Sequence, residues 1–364
     1  MKKILFLIPT LGGGGAEKVL VNLANNLDKN IFDITIISLF NVSTNAKFLH
    51  ANIKYKYYFK KYIPGFNHFL KFFSPKFLYK MIIKEKYDCI ISFLEGETTR
   101  ILKGCNDNTK IIDWIHIESS KNITEAFRNK SEMIKAYNKA TKIVCVSKDV
   151  ENSFNKITDN LFKNKVMTIK NINDYNDIFI RAKEKYETKS KLTITGIGRL
   201  TKIKDFERLI PIMYKLNKEF SNLQLLILGT GVEKANIENK IKELGLNNVY
   251  LLGYQENPYK ILAKSDLYIC CSHFEGFSTT TTEALILNIP IVTTNCAGMK
   301  DLLDNGKCGI IVDDSDEDLL EGIKKVINDI ELVKKIKQNQ IIKKEKLILE
   351  NIDNIKIIEN LITS

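Results

Sequence analysis

Short runs of Ile, Val, Leu and Phe alternate along the first half of the chain with segments whose apolar residues recur at helical spacing. The runs have the length and β-branched content of buried strands, and the segments between them have the period of amphipathic helices. Strands and helices that alternate in this way form a parallel sheet covered by helices on both faces. We predict strands at residues 3–9, 32–40, 87–94, 110–117 and 142–147.

The same alternation restarts after a polar interval at residues 170–191, which we interpret as a linker. We predict the strands beyond it at residues 192–198, 223–229, 248–253, 266–272 and 289–294. We therefore expect an α/β protein of two doubly wound, Rossmann-like domains facing across a cleft, with ligands at the carboxyl ends of the strands. The predicted domains are residues 1–172 and 173–345, and residues 346–364 form a C-terminal helix that could pack back on the first domain.

The composition is that of a globular protein in a reducing compartment. The chain has 364 residues, a net charge of +12 and seven cysteines that form no C-x-x-C pair. Most of these cysteines lie in or beside apolar runs, so we expect buried free thiols rather than disulfides or a zinc site.

Pro9 interrupts the apolar N-terminal stretch and a helical pattern follows, which argues against a secretory signal. No window reaches the ~18 apolar residues of a membrane span, and we expect a cytoplasmic protein.

Three segments at predicted strand ends carry candidate chemistry, and the first is the glycine run Gly12–Gly15 before the first helix. Glycine permits positive φ and a close approach of the backbone, and a helix start offers unpaired N–H groups to an anion. The run lacks the G-x-G-x-x-G spacing of a dinucleotide site. The alternative is a tight turn without a ligand.

The second segment, GIGRLTKIKDF, ends the first strand of the second domain and contains Arg199 and Lys204. A guanidinium fork and a lysine ammonium placed together suit a diphosphate. The alternative is a pair of solvated basic residues in a lysine-rich chain.

The third segment, CSHFEGFSTTTTEAL, places Glu275 and Glu283 on either side of Ser278 and four threonines. Threonine is a poor residue for a helix interior, so we expect the threonines to form a ligand-facing first turn capped by Ser278 or Thr279. The N–H groups of such a turn favour an anion. Glu275 could meet ligand hydroxyls, and Glu283 could accept hydrogen bonds from a ribose diol. Helix capping alone would explain Ser278 but does not require both carboxylates.

Together with NCAGMKDLLDNGKCGIIV further along, these three segments resemble glycosyltransferase family 4, and the resemblance spans nearly the whole chain. It implies the GT-B fold and a retaining, metal-independent transfer of a hexose-type sugar from a nucleotide-diphosphate sugar such as a UDP-sugar. Arg199, Lys204 and the helix start would take the place of a divalent ion at the departing diphosphate. We therefore expect no metal and no cofactor.

The resemblance also assigns roles to single residues. Catalytic roles would fall to Arg199, Lys204, Glu275 and His116, a histidine beside the donor sugar for which the alternative is an ordinary packed residue. The donor would also contact the glycine loop, the turn before the helix, the ribose-binding carboxylate and the base-reading segment GYQENPY. These further donor-binding residues are Gly14, Gly15, Gly276, Phe277, Ser278, Thr279, Glu283, Gln255 and Asn257.

Residues 53–86 contain nine lysines and one acid, Glu85, interleaved with aromatic residues. Lysines near an anionic bilayer contribute ~1 kcal/mol each, and aromatic side chains anchor at the interface. We hypothesise that this face docks on the inner, cytoplasmic leaflet and presents a lipid-linked or polysaccharide acceptor. The alternative is an amphipathic helix whose aromatic residues belong to the core. The residues expected to meet membrane or acceptor are Lys60, Lys61, Phe69, Lys71, Phe72, Phe73 and Lys76.

Two other functions stay open. A nucleotide-sugar epimerase of the same fold would release free sugar or its isomer without an acceptor. A non-enzymatic basic protein that binds membranes would tolerate the loss of both Glu275 and Glu283. We expect no nucleic-acid partner, because the chain contains no recognised nucleic-acid-binding module.

Overall fold

Two parallel sheets organise the chain. The computed structural model describes residues 1–62, 65–117, 125–187 and 192–364. These residues divide into two compact units. Unit 1 comprises Met1–Asn173 and Asn351–Ser364, and unit 2 comprises Asp174–Glu350.

Each unit contains one sheet, built from the apolar runs that the sequence displays. In unit 1 the strands are β1 Lys2–Ile8, β2 Phe32–Phe40, β3 Lys54–Phe59, β4 Cys89–Ser92, β5 Lys110–Ile115, β6 Lys142–Cys145 and β7 Val166–Thr168. In unit 2 they are β8 Leu192–Ile197, β9 Leu223–Leu228, β10 Val249–Gly253, β11 Leu267–Cys270, β12 Ile291–Thr294 and β13 Ile310–Val312.

Both sheets are parallel and wound in two directions from a central strand. The strand orders are β3-β2-β1-β4-β5-β6-β7 and β10-β9-β8-β11-β12-β13. The order therefore reverses between β1 and β4 in unit 1 and between β8 and β11 in unit 2. Open α/β sheets bind ligands at this switch point, beside the carboxyl ends of the two strands.

Helices and single 3₁₀ turns connect the strands. The α-helices are α1 Gly15–Asn26, α2 Phe66–Leu70, α3 Pro75–Ile82, α4 Glu97–Leu102, α5 Lys130–Lys139, α6 Lys148–Ile157, α7 Tyr175–Ala182, α8 Leu209–Leu216, α9 Lys234–Glu243, α10 Tyr259–Leu262, α11 Thr279–Ile286, α12 Met299–Leu302, α13 Asp316–Asn328 and α14 Ile330–Thr363. The 3₁₀ turns are Ala46–Phe48 and Phe206–Arg208.

The polar interval at residues 170–191 is not a plain linker, because it contains α7. Asp174 caps this helix by accepting the N–H of Asp177 at 2.9 Å, and Tyr175 and Ile178 are buried. Two buried residues at helical spacing are enough to hold a short helix on the unit. Residues 188–191 of the interval lie outside the described residues.

Helix α14 is shared between the units, and its last turns belong to unit 1. Ile358 and Ile362 are buried there. The N–H of Asp28 donates to Glu359 Oε1 at 2.9 Å. At the unit boundary the N–H of Asn173 donates to Asn351 Oδ1 at 2.9 Å, and Asn351 Nδ2 donates to the carbonyl of Asn173 at 3.2 Å.

The seven cysteines are all free thiols, and every one except Cys296 is buried, as the sequence predicts. Within the described ranges, no helix combines the length and the apolar character needed to cross a bilayer.

Candidate functional site

The loops after β8 and β11 lie side by side at the switch point of unit 2. The first loop carries Arg199 and Lys204, and the second carries Glu275. Lys204 Nζ donates to Glu275 Oε1, and the two side chains form a salt bridge. The structure thus brings together two segments that are about 70 residues apart in the sequence, as parallel strand order allows.

Glu275 is fixed by several donors, whereas Arg199 on the neighbouring loop is exposed. Ser272 Oγ donates to Glu275 Oε1 at 2.8 Å, and the thiol of Cys270 lies 3.7 Å from the same oxygen. Burial works to lower the pKa of Lys204, but the Glu275 carboxylate outweighs burial and raises it. Lys204 is therefore a cation. The charge of Arg199 acts against this rise in the pKa of Lys204, so Arg199 is a second positive group near Lys204.

Helix α11 begins at this loop, and Ser278 is its cap. Ser278 Oγ accepts the N–H of Thr281 at 3.3 Å. The first helical residues, Thr279 and Thr280, have no intrahelical acceptor for their N–H groups, as at any helix start. Ser278 is buried, while Thr279 and Thr280 are partly exposed. The helix start is thus able to present N–H groups to an anion.

The expectation that the four threonines face a ligand is wrong for two of them. Thr281 and Thr282 are buried. The Thr281 hydroxyl donates to Ser278 Oγ at 2.9 Å, and the Thr282 hydroxyl donates to the carbonyl of Ser278 at 2.9 Å. Threonine hydroxyls in a helix commonly satisfy such local acceptors, which makes these residues compatible with a buried turn.

Glu283 is almost completely buried, with 2% of its surface exposed. Its Oε1 accepts the hydroxyl of Tyr259 at 3.3 Å, and Tyr259 is buried on α10. The Arg181 guanidinium lies 5.5 Å from the centre of the Tyr259 ring. Glu283 therefore connects α11 to α10, and Tyr259 is a site neighbour that the sequence pattern did not indicate.

The side-chain amides of Gln255 and Asn257, in the GYQENPY segment, form hydrogen bonds with nearby backbone groups. Gln255 Nε2 donates to the carbonyl of Leu252 at 2.7 Å. Asn257 Nδ2 donates to the carbonyl of Arg181 at 2.9 Å, and Asn257 Oδ1 accepts the N–H of Tyr259 at 3.1 Å. These bonds fix the main chain before α10.

In unit 1 the glycine loop follows β1, but its glycines are not explained by positive φ. None of Gly12–Gly15 has a positive φ, and Gly14 has φ −82°. A Cβ at position 14 would lie 2.2 Å from Oε2 of Glu17, but this atom ends a flexible side chain that can move aside, so space does not require a glycine there. Oε1 of Glu17 accepts the hydroxyl of Thr10 at 3.1 Å. Gly15 is the first residue of α1.

His116 follows β5 directly and is buried against the ring of Phe93, with ring centroids 4.9 Å apart. Burial lowers the pKa of His116 to about 3, so the imidazole is neutral. Its Nε2 has no hydrogen-bond partner among the described residues. Its backbone N–H donates to Glu95 Oε2 at 2.8 Å.

Glu95 is a buried carboxyl that is not among the residues predicted from the sequence. Burial raises its pKa to about 7. Glu95 follows β4, the strand beside β1 at the switch point of unit 1. Strand order, rather than any local motif, is the signal that would have identified it.

The residues predicted to meet a membrane are exposed, except for Lys71 and Phe73, which are half-buried. We define the aromatic–lysine surface as these residues together with exposed Phe77, namely Lys60, Lys61, Phe69, Lys71, Phe72, Phe73, Lys76 and Phe77. Phe72 is 83% exposed, and Phe69 and Phe77 are also exposed. The ring of Phe73 lies 5.3 Å from that of Phe69 and 5.4 Å from that of Phe77. The alternative that these aromatic residues belong to the core is therefore wrong for the three exposed rings.

Two arginines hold the backbone of this surface. Buried Arg100 donates to the carbonyl of Leu70 from Nη1 and to the carbonyl of Phe73 from Nη2, both at 2.9 Å. Arg128 Nε donates to the carbonyl of Lys71 at 2.7 Å. Arg100 is paired in turn with Glu132 at 3.2 Å. The main chain is thus fixed from the inside while the aromatic side chains point outward.

Comparison with known proteins identifies the class. Residues 177–343 match the family model described as glycosyl transferases group 1. This match lies within unit 2 and agrees with the family expected from the sequence. The chain has the GT-B fold, which confirms the fold class expected from the sequence.

Several relatives and one solved structure match most of the chain. A glycosyltransferase of Haemophilus influenzae is 27% identical over 99% of this chain and 98% of its own length. The N-acetylgalactosamine-N,N'-diacetylbacillosaminyl-diphospho-undecaprenol 4-alpha-N-acetylgalactosaminyltransferase of Campylobacter jejuni is 29% identical over 98% of this chain and 97% of its own length. A relative in Methanocaldococcus jannaschii is 29% identical, but the match spans 61% of this chain and 57% of that protein. The crystal structure of Anabaena HepE in complex with UDP and glucose superposes with a TM-score of 0.78, at 18% identity and 100% coverage of both chains.

Proposed function

We propose that this chain is a retaining glycosyltransferase that moves a hexose-type sugar from a UDP-sugar to a lipid-linked or polysaccharide acceptor. The observation that carries the proposal is the convergence of Lys204, Glu275 and the start of α11 at the switch point of unit 2. The UDP and glucose held by Anabaena HepE support the donor class. The diphospho-undecaprenol named for the Campylobacter jejuni relative supports the acceptor class.

In the proposed reaction, the bond between the anomeric carbon and the diphosphate oxygen breaks as an acceptor hydroxyl attacks that carbon. The bonding electrons leave with the diphosphate, the departing diphosphate oxygen takes up the acceptor's proton, and the sugar passes through an oxocarbenium-like transition state. Lys204, Arg199 and the N–H groups of Thr279 and Thr280 would stabilise the departing charge. Donors aimed in advance at developing charge are effective because they need no reorganisation during the reaction. We propose that these groups act without a metal ion.

The carboxylates would hold the uncharged parts of the donor. Glu275 is fixed by Ser272 and Lys204, so it could accept hydrogen bonds from sugar hydroxyls in one orientation. Glu283, fixed by Tyr259, would accept from the ribose. Neutral His116 would offer a hydrogen bond to the sugar, since its pKa rules out a charged acid near neutral pH. Gly14 and Gly15 would let the backbone approach the phosphate.

We further propose that the protein associates peripherally with the cytoplasmic face of a membrane through the aromatic–lysine surface. Exposed Phe69, Phe72 and Phe77 are of a kind that enters the interfacial region of a bilayer. Lysines beside them are attracted to anionic lipid by ~1 kcal/mol each. Docking there would place the enzyme next to a lipid-linked acceptor.

The catalytic proposal is tested by incubation with a panel of UDP- and GDP-sugars, with and without a bacterial lipid extract. We expect nucleoside diphosphate release that depends on the extract, together with a glycosylated lipid product. Conversion of the donor without any acceptor would instead identify an epimerase or hydrolase. If no donor is consumed under any condition, the enzymatic proposal fails.

Vesicle flotation tests the docking proposal. We expect binding to vesicles of anionic phosphatidylglycerol and little binding to neutral phosphatidylcholine. Replacing Phe69, Phe72 and Phe77 together with serine should abolish flotation. Val232→Ser is the matched control, because Val232 is 84% exposed but lies in unit 2. Equal binding to both lipids, or binding by the triple variant, would contradict the proposal that this surface docks on a membrane.

A further inference from the structure

His273 lies on the loop between β11 and Glu275 and is held between two carboxylates. Its Nδ1 lies 2.6 Å from Asp314 Oδ2, and its Nε2 lies 3.0 Å from Asp205 Oδ2. A carboxylate can only accept hydrogen bonds, so both ring nitrogens must donate. Only the protonated imidazolium has two N–H groups. The geometry therefore calls for a positively charged ring.

The loop after β11 forms hydrogen bonds with Lys204 and with the residues on either side of it. The backbone N–H of His273 donates to the carbonyl of Ile203 at 2.8 Å, while its ring bonds to Asp205. The thiol of Cys271 donates to the carbonyl of Lys204 itself at 3.2 Å. The residues on both sides of Lys204 are thus attached to the loop that carries Glu275.

Asp205 has a backbone conformation that needs such support. Its φ of 42° lies in the left-handed region, which is disfavoured for residues other than glycine, although Asp adopts it more readily than most because its side chain can form hydrogen bonds. The carboxylate of Asp205 reaches His273 from this conformation. Hydrogen bonds to a charged partner are strong enough to offset such a cost.

The other side of the ring is joined to the loop after β13. Asp314 accepts from Arg208 as well as from His273, and Arg208 Nε donates to Asp316 Oδ1 at 2.7 Å. Asp314 and Asp316 have the Asp-x-Asp spacing typical of divalent-cation sites. Here their oxygens are bonded to His273 and Arg208 instead. The ring therefore connects the loops after β8, β11 and β13.

We infer that protonated His273, held by Asp205 and Asp314, is a positioning residue that keeps Lys204 and Glu275 in the arrangement that grips the donor diphosphate. We name these three residues the His273 clamp. The inference rests on the proposed function. The charged groups around the ring are the two carboxylates of the clamp, Arg208 with Asp316 beyond Asp314, and the Lys204–Glu275 pair beyond Asp205.

The clamp gives the site a pH dependence of a definite sign. The hydrogen bond to Asp314 is the main cause that raises the pKa of His273 above its ordinary value. A raised pKa means that the clamp is complete below the ordinary histidine pKa of about 6.5 and is lost as the pH rises through the raised value. Deprotonation would direct a nitrogen lone pair at a carboxylate, so one hydrogen bond of the clamp would be lost. We therefore expect the turnover of the donor to fall as the pH rises above the pKa of His273.

The clamp itself is tested without enzyme activity, by an NMR titration of the protein labelled with [¹³C]histidine. The chain has only four histidines, so His273→Gln assigns the signal directly. We expect His273 to titrate above about 6.5, the value of a free histidine. A pKa at or below that value overturns the inference, whether or not any donor is turned over.

The positioning role is tested by pH–rate profiles of the wild type, His273→Gln and His273→Arg with the donor found active. We expect His273→Gln to be ~10- to 100-fold slower at pH 6.5, the scale of a catalytic group displaced by a fraction of an ångström to 1 Å. Its rate should lack the alkaline fall, and the permanently charged arginine should restore part of the rate.

The matched control for both variants is His50→Gln, which changes an exposed histidine of unit 1. It should keep the wild-type rate and profile. A His273→Gln enzyme with the wild-type profile, or with the same loss at every pH, would overturn the positioning role. Absence of turnover by the wild type with every donor would count against the proposed function instead, and the NMR titration would still decide the clamp.

Discussion

Lys204 holds its charge between a carboxylate that favours it and an arginine that opposes it. Its ammonium forms a salt bridge with Glu275, so an arriving diphosphate would share an ammonium that is already oriented. Lysine is a compact point charge on a flexible stem and can turn from one acceptor to another. The residue is thus suited to follow charge as it moves from the glycosidic bond to the leaving group.

We predict that Lys204→Ala lowers turnover at least ~100-fold, because loss of one aimed donor costs ~2.7–4 kcal/mol of transition-state stabilisation. Arg199→Ala should have an effect of the same order. The measurement is kcat with saturating donor and acceptor. Lys202→Ala is the control, since Lys202 lies two residues away but is exposed and paired with Glu233 at 2.9 Å. Wild-type turnover in the Lys204 variant would eliminate its diphosphate role.

A second residue, Asp113 on β5, carries an unusual carboxyl group. It is buried, and its Oδ1 has no partner among the described residues. Burial raises the pKa of Asp113 to about 7, against the opposing effect of the hydroxyls of Thr99 and Ser92. The carboxyl is therefore largely protonated in the folded protein below neutral pH.

We predict that the free energy of unfolding falls as the pH rises from about 4 to 7, because the unfolded chain releases the Asp113 proton first. Because the pKa of Asp113 rises from 3.8 to about 7 on folding, this effect is limited to about 4 kcal/mol. Asp113→Asn should make the free energy of unfolding less dependent on pH, leaving the part of that dependence due to Glu95.

Urea unfolding between pH 4 and 8 measures the free energy of unfolding. Asp353→Asn, an exposed change in unit 1, is the control, and an unchanged slope for Asp113→Asn would refute the assignment.

At the scale of elements, the central strands and the edge strand β10 could be predicted, and the other three edge strands could not. The central runs, such as those of β1 and β9, are continuous apolar stretches that only a covered parallel strand explains. β3, β7 and β13 lie at sheet edges and are exposed or half-buried. β7 and β13 are only 3 residues long, and β3 contains lysines among its tyrosines, so none of them is an apolar run of ordinary strand length. These three strands form because they pair with a neighbouring strand of the sheet, and the local sequence does not show that pairing.

Helix α11 begins with four threonines and depends on its cap. We predict that Ser278→Ala lowers the free energy of unfolding by ~1 kcal/mol, because the N–H of Thr281 loses its acceptor. The loss should be somewhat larger if the Thr281 hydroxyl is also left unpaired. Denaturant unfolding measures the change, with Ser221→Ala as the control in an exposed loop of the same unit. Equal stability of the two variants would show that the cap is dispensable.

At the scale of the whole molecule, the same strand order appears in both units and determines which loops meet. Lys204 and Glu275 could be predicted, because their segments carry recognisable motifs. His273, Asp205 and Glu95 could not, because their significance lies in contacts between loops that are far apart in the sequence. The contact between the Glu17 carboxylate and the backbone at Gly14 also required coordinates.

We propose that unit 2 binds the diphosphate of a nucleotide sugar through Lys204 and its neighbours without a metal ion. Isothermal titration of UDP into the full chain in the presence of EDTA tests this proposal. We predict one binding site, with affinity lowered at least ~10-fold in Lys204→Ala, the scale of a lost charged hydrogen bond, and unchanged in Lys202→Ala. Absence of binding by UDP and by GDP alike, or equal affinity in the wild type and Lys204→Ala, would contradict the claim.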